Sequence, residues 1–417
     1  MLTADPPLKV KRGEGVYLEL EDGRRLVDCI SSWWVNLHGH AQPDIARAIY
    51  EQAQTLEQVI FAGFTHEPAE EIASLLLKKL PANLNHVFFS DNGSTSVEVA
   101  LKMSYQYWHN RGEKRTKFIA FAGGYHGDTV GAMSIGGGSP FWEKFSPLMF
   151  SIDLAAYPET YENDPCVEEK EARSISAIES MLANPEAGFA AICIEPLVQG
   201  AAGMRVCRPE FLQKLRALAT KYKTLLIFDE VMTGFGRTGD WFACTKSTVA
   251  PDIICLSKGI TGGFLPLSVT VCSSEIYDSF LDEQNAKTFF HGHSYTANPL
   301  ACAAAVASWK LLAETQTRFQ NLESRHRQHF SKALADLTVL EHARFCGTIF
   351  ATEVKTEESS GYFNKLAPLL KKRFLDSGFL IRPLGNTIYL MPPYCITDEE
   401  LGASYHCIRS VLADLLK

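Results

Sequence analysis

A lysine, an aspartate and a Gly-Ser pair each follow a short apolar segment in this chain. Together their functional groups could bind and react with one shared ligand. Lys258 follows the apolar segment DIICLS, and Asp229 follows TLLIF. Gly93 and Ser94 come just after a third segment, HVFFS, and open a run with helical periodicity. Lys258 and Asp229 are 258 − 229 = 29 residues apart, about one strand-to-strand connection in an α/β unit. Because ligands bind beyond the carboxyl ends of parallel strands, we expect the lysine and the acid to meet there.

A lysine, an acid and a helix N-terminus together suit pyridoxal 5′-phosphate (PLP). The N-terminus at Gly93-Ser94 offers backbone N–H groups and hydroxyls that bind phosphate. The amine of Lys258 can form a Schiff base with the aldehyde of PLP, and the carboxylate of Asp229 can keep the pyridine nitrogen protonated. Each residue also has an ordinary interpretation, because a lysine at a strand end often forms a salt bridge and an aspartate often caps a helix.

The elements that must position these groups can be predicted from the apolar pattern. Apolar segments of strand length lie at 86–90, 117–121, 190–196, 224–230, 252–257 and 267–272. Helical patterns lie at 96–108, 209–222 and 298–314, and a polar helix is predicted around 316–337. Strands that alternate with helices and are almost continuously apolar predict an α/β fold, with a mostly parallel sheet covered on both faces.

Chain length predicts two domains, because 417 residues exceed what one core usually holds. The N-terminal segment alternates around Asp22-Gly23, which predicts a β-hairpin. We expect residues 46–314 to form a large domain that binds the cofactor. Residues 1–45 and 315–417 are expected to join in one smaller domain.

The composition excludes several classes of protein. A formal net charge of −8 disfavours nucleic acid as a partner. No apolar run approaches the ~18–20 residues needed to cross a bilayer. The eleven cysteines include no C-x-x-C pair, which favours reduced thiols in a cytoplasmic protein. The pairs His38/His40 and His291/His293 lack a third ligand at useful spacing, so we expect no metal site.

Longer motifs make the chain similar to a known family. FDEVMTGFGRTG (228–239) followed by LSKGITGG (256–263) resembles the class III, or ω-, aminotransferases, which are PLP-dependent enzymes of fold type I. The resemblance extends through SDNGSTSVEVALK, GGYHGDTVGAMS, IEPLVQGAAGM and HGHSYTANPLACAAA, from about residue 14 to the end. It implies a large domain with a mostly parallel central sheet, and a smaller α+β domain built from both termini.

The resemblance gives four residues roles around the cofactor ring. Lys258 would be the Schiff-base lysine and the proton shuttle, and Asp229 would pair with the pyridinium nitrogen. Tyr125 would stack on one face of the ring as part of the catalytic set, and Val231 would pack on the other face.

Three more residues would bind the phosphate. Gly93 and Ser94 would hold it within one subunit. Ser294, in HGHSYTANP, would reach the phosphate of the neighbouring subunit's cofactor, which implies a homodimer with shared active sites.

Two segments, ISSWWVNLHGH (30–40) and RPLGNTIYLMPPY (382–394), are most similar to one branch of the family. That branch transfers an amino group from S-adenosylmethionine to 8-amino-7-oxononanoate in biotin biosynthesis, giving 7,8-diaminononanoate. The substrate-binding residues expected from this similarity are Trp33, Trp34, Asp128, Arg237, Gly292, Arg382 and Tyr389. Arg382 would hold the carboxylate of the oxononanoate, and an extended segment would let only one tryptophan, Trp33, face the ligand.

Two other functions compete with this one. The chain could be another class III aminotransferase that acts on ornithine, acetylornithine, 4-aminobutyrate or an amine, or a non-catalytic binding protein with the PLP fold. The segment MLTADPPLKVKRGEG lacks the tyrosine that usually precedes the first strand in this branch. We therefore expect other residues to complete the donor side of the pocket, and the amino donor stays open between S-adenosylmethionine and a substitute such as lysine.

Overall fold

The computed structural model describes residues 6–137, 142–283, 285–357 and 364–415. The strands are β1 (Val10–Glu14), β2 (Tyr17–Leu20), β3 (Arg25–Asp28), β4 (Leu84–Ser90), β5 (Lys117–Phe121), β6 (Asp153–Ala155), β7 (Phe189–Ile194), β8 (Val198–Gln199), β9 (Arg205–Val206), β10 (Leu225–Asp229), β11 (Ile253–Leu256), β12 (Ser268–Ser273), β13 (Leu340–Cys346), β14 (Ile349–Val354), β15 (Phe379–Leu380) and β16 (Thr387–Leu390).

The helices surround these strands. They are α1 (Ser31–Trp34), α2 (Pro43–Thr55), α3 (Glu67–Leu77), α4 (Gly93–Asn110), α5 (Val130–Ile135), α6 (Val167–Leu182), α7 (Pro209–Lys221), α8 (Ala243–Ser247), α9 (Ser274–Asp278), α10 (Pro299–Glu314), α11 (Gln316–Ala333), α12 (Leu366–Asp376) and α13 (Asp398–Leu415). No described helix is both long enough and apolar enough to cross a lipid bilayer.

A seven-stranded sheet with the order β4-β12-β11-β10-β7-β5-β6 forms the centre of the described structure. Its strands pair in parallel except for β12, which is antiparallel to both β11 and β4. Every residue of β7 and β10 is buried, because helices cover both faces of the sheet. The predicted α/β fold with a mostly parallel sheet is confirmed. The three-residue strand β6 was not predicted, since so short a segment has no readable period.

The sheet brings the predicted lysine and acid to the same edge. Strands β10 and β11 are parallel neighbours, with Asp229 opposite Cys255 in the register. Lys258 lies three residues beyond Cys255, so both polar groups leave the sheet at its carboxyl end. The spacing of the two residues therefore predicted their meeting correctly.

The N-terminal segment forms a separate sheet with a strand from the other end of the chain. Its order is β1-β2-β3-β15, and β2 and β3 form the predicted hairpin around Gly23, whose φ is +87°. Strand β15 pairs in parallel with β3, and β13, β14 and β16 form another small sheet. The division of the chain at residues 45 and 314 stays a prediction.

Helix α1 is a single turn with left-handed backbone angles. Ser31, Ser32, Trp33 and Trp34 have φ of 51°, 44°, 68° and 75°. Left-handed conformations cost non-glycine residues roughly 1–2 kcal/mol each. The expectation of an extended segment at this point is wrong, because hydrogen bonds hold the segment in a turn, and one of them comes from a residue far away in the sequence. Ser31 Oγ donates to the Met391 carbonyl at 2.8 Å, and Ser32 Oγ donates to Asp28 at 2.7 Å.

Candidate active site

A cavity of about 1030 Å³ lies at the carboxyl ends of the central strands. It is large enough for a cofactor and a small substrate together. Nine of the predicted site residues line it: Trp33, Trp34, Gly93, Ser94, Tyr125, Asp128, Asp229, Val231 and Lys258. The fold thus brings together residues that are up to 225 positions apart in the sequence, since 258 − 33 = 225.

Lys258 begins the short 3₁₀ helix Lys258–Thr261 that follows β11. Its φ is +44°, a conformation that is uncommon for a lysine and that occurs often at functional sites. Its Nζ lies 5.0 Å from the centroid of the Trp34 ring. Burial lowers the pKa of this amine, and the Arg237 cation acts in the same direction, while Asp229 and Glu195 oppose them. The amine therefore loses its proton more readily than a lysine in water, as a nucleophile and proton carrier requires.

Asp229 ends β10 and is fixed by two hydrogen bonds. One carboxylate oxygen accepts from the Val231 N–H at 3.0 Å, and the other lies 2.6 Å from Nδ1 of His126. Both side chains are almost fully buried. Burial lowers the pKa of His126, but the hydrogen bond and charge of Asp229 outweigh it and raise that pKa above its ordinary value. The histidine thus holds the Asp229 side chain in one orientation.

The N-terminus of α4 lies where the phosphate is predicted to bind. The Asn92 side chain accepts from the Thr95 N–H at 3.0 Å and caps the helix, which begins three residues before the predicted position. The Ser94 hydroxyl lies 2.7 Å from the Thr129 hydroxyl and accepts from the Thr129 N–H at 3.0 Å. A Cβ atom on Gly93 would lie 2.6 Å from a methyl group of Val231, so only glycine lets the helix start so close to β10.

Tyr125 lies in the loop after β5 and is held at both ends. Its hydroxyl donates to the Asp128 carboxylate at 3.1 Å, and its N–H donates to Glu195 at 2.9 Å. Burial, together with the negative charge of Asp128, raises the pKa of Tyr125 to about 12. The side chain therefore remains a neutral phenol at any physiological pH.

The two tryptophans of α1 link the lysine to the predicted carboxylate site. Trp34 is buried beside Lys258, and its indole N–H donates to the Tyr389 hydroxyl at 3.0 Å. Tyr389 thus supports the wall of the cavity from behind Trp34 and is absent from the described lining. Trp33 is 56% exposed, and the Arg382 guanidinium carbon lies 4.0 Å from its ring centroid. Because both indoles line the cavity, the expectation that only one would face it is wrong.

The expectation that Arg237 contacts substrate needs a correction, because the structure does not bring this side chain to the cavity. Arg237 is 1% exposed, and its guanidinium donates to the carbonyls of Trp34, Asn36 and Pro392 at 3.2, 2.9 and 3.2 Å. Burial lowers the pKa of this guanidinium. Its observed role is to fasten the backbone after α1 to the C-terminal segment.

Replacing Arg237 with leucine should lower the free energy of unfolding by about 3 kcal/mol, because three buried carbonyls lose their donors. Thermal unfolding of the purified variant measures this. Arg173→Leu is the matched control, since that arginine is 69% exposed and should change stability by less than ~0.5 kcal/mol. Equal losses of stability in the two variants would contradict the structural role of Arg237.

Two predicted residues lie in a loop outside the described lining of the cavity. Gly292 and Ser294 are exposed, and the Ser294 carbonyl accepts from the Gln58 side chain at 2.7 Å. The assignment of Ser294 to a neighbouring subunit's cofactor, and of Gly292 to substrate, stays a prediction.

The histidine pairs considered as metal ligands have other partners. His38 lies 2.9 Å from the Ser308 hydroxyl, and His40 lies 3.0 Å from Asp28. His291 lies 2.9 Å from the Lys102 amine, and His293 accepts from the Tyr295 N–H. Within the described residues, the group whose ligand atoms approach one another as a metal site requires is Glu341, His342 and Glu353, and these residues are not among those that line the cavity.

Comparison with known proteins agrees with this geometry. Residues 3–412 match the sequence model of the family described as "Aminotransferase class-III". The chain belongs to the class III aminotransferases. It is 53% identical over 412 residues to the adenosylmethionine-8-amino-7-oxononanoate aminotransferase of Synechococcus elongatus, a match that covers 99% of this chain and 96% of the relative. It is 37% identical to the enzyme of the same name from Anoxybacillus flavithermus, covering 98% and 92%.

Solved structures of other aminotransferases share the fold. The crystal structure of the adenosylmethionine-8-amino-7-oxononanoate aminotransferase of Methanocaldococcus jannaschii superimposes with a TM-score of 0.90 and 34% identity, covering 98% of this chain and 94% of that one. A PLP-bound amine transaminase from an uncultivated Pseudomonas species has a TM-score of 0.91 and 31% identity, covering 98% and 95%.

The residues of this class III aminotransferase fit PLP by the chemistry of their donors. A helix N-terminus with a serine hydroxyl suits the phosphate dianion, and a buried carboxylate suits a protonated ring nitrogen. Lys258 offers an amine for the aldehyde, and the lining by Tyr125 and Val231 suits an aromatic ring.

Sequence reasoning missed two buried polar residues of the site. His126 lies beside Tyr125 in GGYHGD and was not assigned a role. Its position next to a candidate site residue is a signal in the sequence that could have identified it. Glu195 follows β7 at the same edge of the sheet as Asp229, so the rule applied to Asp229 would have found it as well.

Proposed function

We propose that this class III aminotransferase moves the amino group of S-adenosylmethionine to 8-amino-7-oxononanoate, giving 7,8-diaminononanoate for biotin biosynthesis. The relatives from Synechococcus, Anoxybacillus and Methanocaldococcus carry the name of this activity. Their matches span almost the whole of each chain, so the activity rests on the complete enzyme and not on one shared domain.

The paired indoles of α1 carry the substrate assignment. Trp34 lies beside the Lys258 amine, and Trp33 lies beneath the Arg382 guanidinium. An apolar aromatic surface thus leads from the reacting amine to a planar cation. The oxononanoate has the complementary form, a long aliphatic chain with its ketone near one end and its carboxylate at the other. Arginine suits that carboxylate because its planar fork can bind both oxygens.

Pyridoxal 5′-phosphate is the cofactor of this family, and it supplies an aldehyde for amines and a ring that accepts electrons from the substrate carbon. Lys258 would hold it through the amine, and Asp229 would face the ring nitrogen. Gly93 and Ser94 would hold the phosphate, with Tyr125 and Val231 on the two faces of the ring.

The chain's own residues then move the protons. In the first half-reaction the donor's amine would displace Lys258 from the cofactor, and the freed Nζ would take the proton from Cα of the donor and pass it to the cofactor, because its lowered pKa lets the amine accept a proton. In the second half-reaction, the same Nζ would take that proton back and deliver it to C7 of the oxononanoate. Both substrates use one cavity in turn, so donor product leaves before the acceptor enters.

A donor screen tests the proposed function. The purified enzyme is incubated with 8-amino-7-oxononanoate and one donor at a time, and 7,8-diaminononanoate is measured by mass spectrometry. Product should form with S-adenosylmethionine, or with lysine if that amine replaces it. Failure with both, together with turnover of ornithine, acetylornithine, 4-aminobutyrate or a simple amine, would assign the chain to a different class III activity.

Replacing Arg382 with leucine should raise the KM for the oxononanoate roughly 10–100-fold, because the variant loses a charge-assisted hydrogen bond to the carboxylate of this substrate. The KM for the amino donor should change less, because the donor carries no distal carboxylate of that kind. Arg373→Leu, an exposed arginine of α12, is the control and should leave both constants unchanged. An unaltered KM for the oxononanoate in Arg382→Leu would remove this arginine from the acceptor site.

We also propose that the enzyme works as a homodimer in the cytoplasm. Exposed aromatic residues flank the Ser294 loop, with Phe290 80% and Tyr295 65% exposed, and such a patch is typical of an interface. This supports the assignment of Ser294 to the site of a second copy. All eleven cysteines are unpaired thiols, which is typical of proteins from reducing compartments.

A further inference from the structure

Glu195 is a buried carboxylate that lines the cavity and has no assigned part in the proposed chemistry. It follows β7, which lies between β10 and β5 in the central sheet. The residue is 6% exposed, although it borders the same cavity as Lys258 and Asp229. A carboxylate is costly to bury unless its oxygens accept hydrogen bonds, so its partners indicate why it is there.

Each oxygen of Glu195 accepts a hydrogen bond from a different loop. Oε1 accepts from the Tyr125 N–H at 2.9 Å, and Oε2 accepts from the Gly200 N–H at 3.0 Å. The first loop carries the tyrosine assigned to the cofactor ring. The second loop carries Ala201, which also lines the cavity. The side chain therefore ties two walls of the cavity to the end of a central strand.

Two other contacts of the Tyr125 loop go to residues that the cofactor would use. His126 bonds to Asp229, and the Thr129 N–H donates to Ser94. Asp229 and Ser94 are assigned to the ring nitrogen and to the phosphate. Glu195 anchors this loop from outside the proposed cofactor-binding set, so it can hold the loop whether or not the cofactor is bound. Gln199 also lies outside that set, and its side chain donates to the Ala122 carbonyl at 3.2 Å, at the start of the loop.

We propose that Glu195 is a positioning residue that fixes the Tyr125 loop over the cofactor and thereby sets how slowly the cofactor is released. The proposal rests on the proposed PLP-dependent function. Glutamine has the same size but only one acceptor oxygen, and its amide N–H₂ cannot accept from a second backbone N–H. The variant Glu195→Gln therefore loses one anchor of the two and keeps the volume of the side chain.

Glu230 provides a matched control. It is also a buried glutamate whose two oxygens accept backbone N–H groups, from Ala243 at 2.6 Å and Cys244 at 2.7 Å. It caps α8 and lies outside the described lining of the cavity. Burial raises the pKa of each of these glutamates to about 7. The experiment is therefore run at about pH 8, where both are mostly ionised.

The test compares wild-type holoenzyme with Glu195→Gln, Glu195→Asp and Glu230→Gln. Two quantities are measured besides activity: the visible circular dichroism of the bound cofactor, which reports how firmly its ring is oriented, and the rate of cofactor release on dialysis. Glu195→Gln should reduce the dichroism and release the cofactor roughly tenfold faster, as expected for one lost hydrogen bond to a charged group. Glu195→Asp keeps both oxygens and should lie between it and the wild type. It also decides the question if the glutamine variant fails to fold.

Glu230→Gln should lower the unfolding temperature and leave both cofactor signals unchanged. If Glu195→Gln behaves like Glu230→Gln, or if Glu195→Asp and Glu195→Gln both match the wild type, the positioning role is overturned while the proposed function stands. A wild-type protein that shows no visible absorption after addition of PLP would overturn the proposed function, and this inference with it.

Discussion

Replacing Lys258 with alanine is expected to reduce transamination by more than ~10³-fold, because the chain loses its nucleophile and its proton carrier together. Of the described residues that line the cavity, Lys258 alone carries an aliphatic amine. Burial lowers the pKa of this amine, so it gives up its proton more readily than a lysine in water and is better able to act as a proton acceptor. The variant should still fold, since removing a charged group that burial disfavours costs little stability.

Single-turnover kinetics with S-adenosylmethionine measure this loss. Lys223→Ala is the matched control, because Lys223 also has a left-handed φ, of 49°, but is exposed and lies outside the cavity lining. It should retain the wild-type rate. A Lys258→Ala enzyme that stays within ~10-fold of the wild type would contradict the role of this lysine as proton carrier.

Replacing Asp229 with asparagine is expected to lower kcat by ~10²–10³-fold, because the ring nitrogen loses its negatively charged partner. Losing one preorganised electrostatic contact usually has an effect of this size. Asparagine is isosteric and can still accept from the Val231 N–H. It cannot, however, stabilise a protonated ring nitrogen with a full negative charge. The substitution also removes the charge that raises the pKa of His126, so the histidine should lose its proton at lower pH in the variant.

Steady-state kinetics measure the effect, and Asp164→Asn is the control. Asp164 has a side chain that is 1% exposed and paired with Lys170, but it lies away from the cavity lining. The pH dependence of unfolding gives a second measurement. Because His126 has a raised pKa, its pairing stabilises the fold fully below about pH 6.5, and this stabilisation is lost as pH rises through the raised value. Asp229→Asn should abolish that dependence, and a kcat within ~3-fold of the wild type would contradict the role of Asp229.

The meeting of Lys258 and Asp229 could be predicted because the rules behind it are local. Asp229 ends the apolar strand β10 and Lys258 lies two residues beyond the apolar strand β11, and strands in a parallel sheet that are separated by one connection commonly become neighbours. A helix that opens near Gly93 and Ser94 could be predicted for a similar reason, although its periodic pattern starts at 96 and α4 begins three residues earlier. The register of β10 and β11 confirms the meeting of the two residues, whereas the cap by Asn92 was not predicted.

The left-handed turn of α1 could not be predicted, because its cause is far away in the sequence. Four non-glycine residues adopt positive φ without any local signal for it. Besides the local contact of Ser32 with Asp28, the turn is held by Met391 and Arg237, the first of them 391 − 31 = 360 residues from Ser31. The left-handed turn that these contacts hold also explains why both Trp33 and Trp34 line the cavity.

The role of Arg237 was misjudged for a related reason. An arginine in a site motif suggests a ligand for a carboxylate, and sequence alone does not reveal backbone carbonyls as competing acceptors. Only the folded chain shows that Trp34, Asn36 and Pro392 take these donors. His126 was missed because its partner, Asp229, is set by the fold, whereas Glu195 follows β7 and could have been found by the rule applied to Asp229.

The attachment of the cofactor to one lysine tests the central claim most directly. Borohydride reduction of the yellow holoenzyme converts the bond between amine and cofactor into a stable one, and the labelled protein can be digested and mapped by mass spectrometry. A pyridoxyl group on the peptide that contains Lys258 is the predicted result. A pyridoxyl group on any other lysine, or a holoenzyme that takes up no label, would contradict the account.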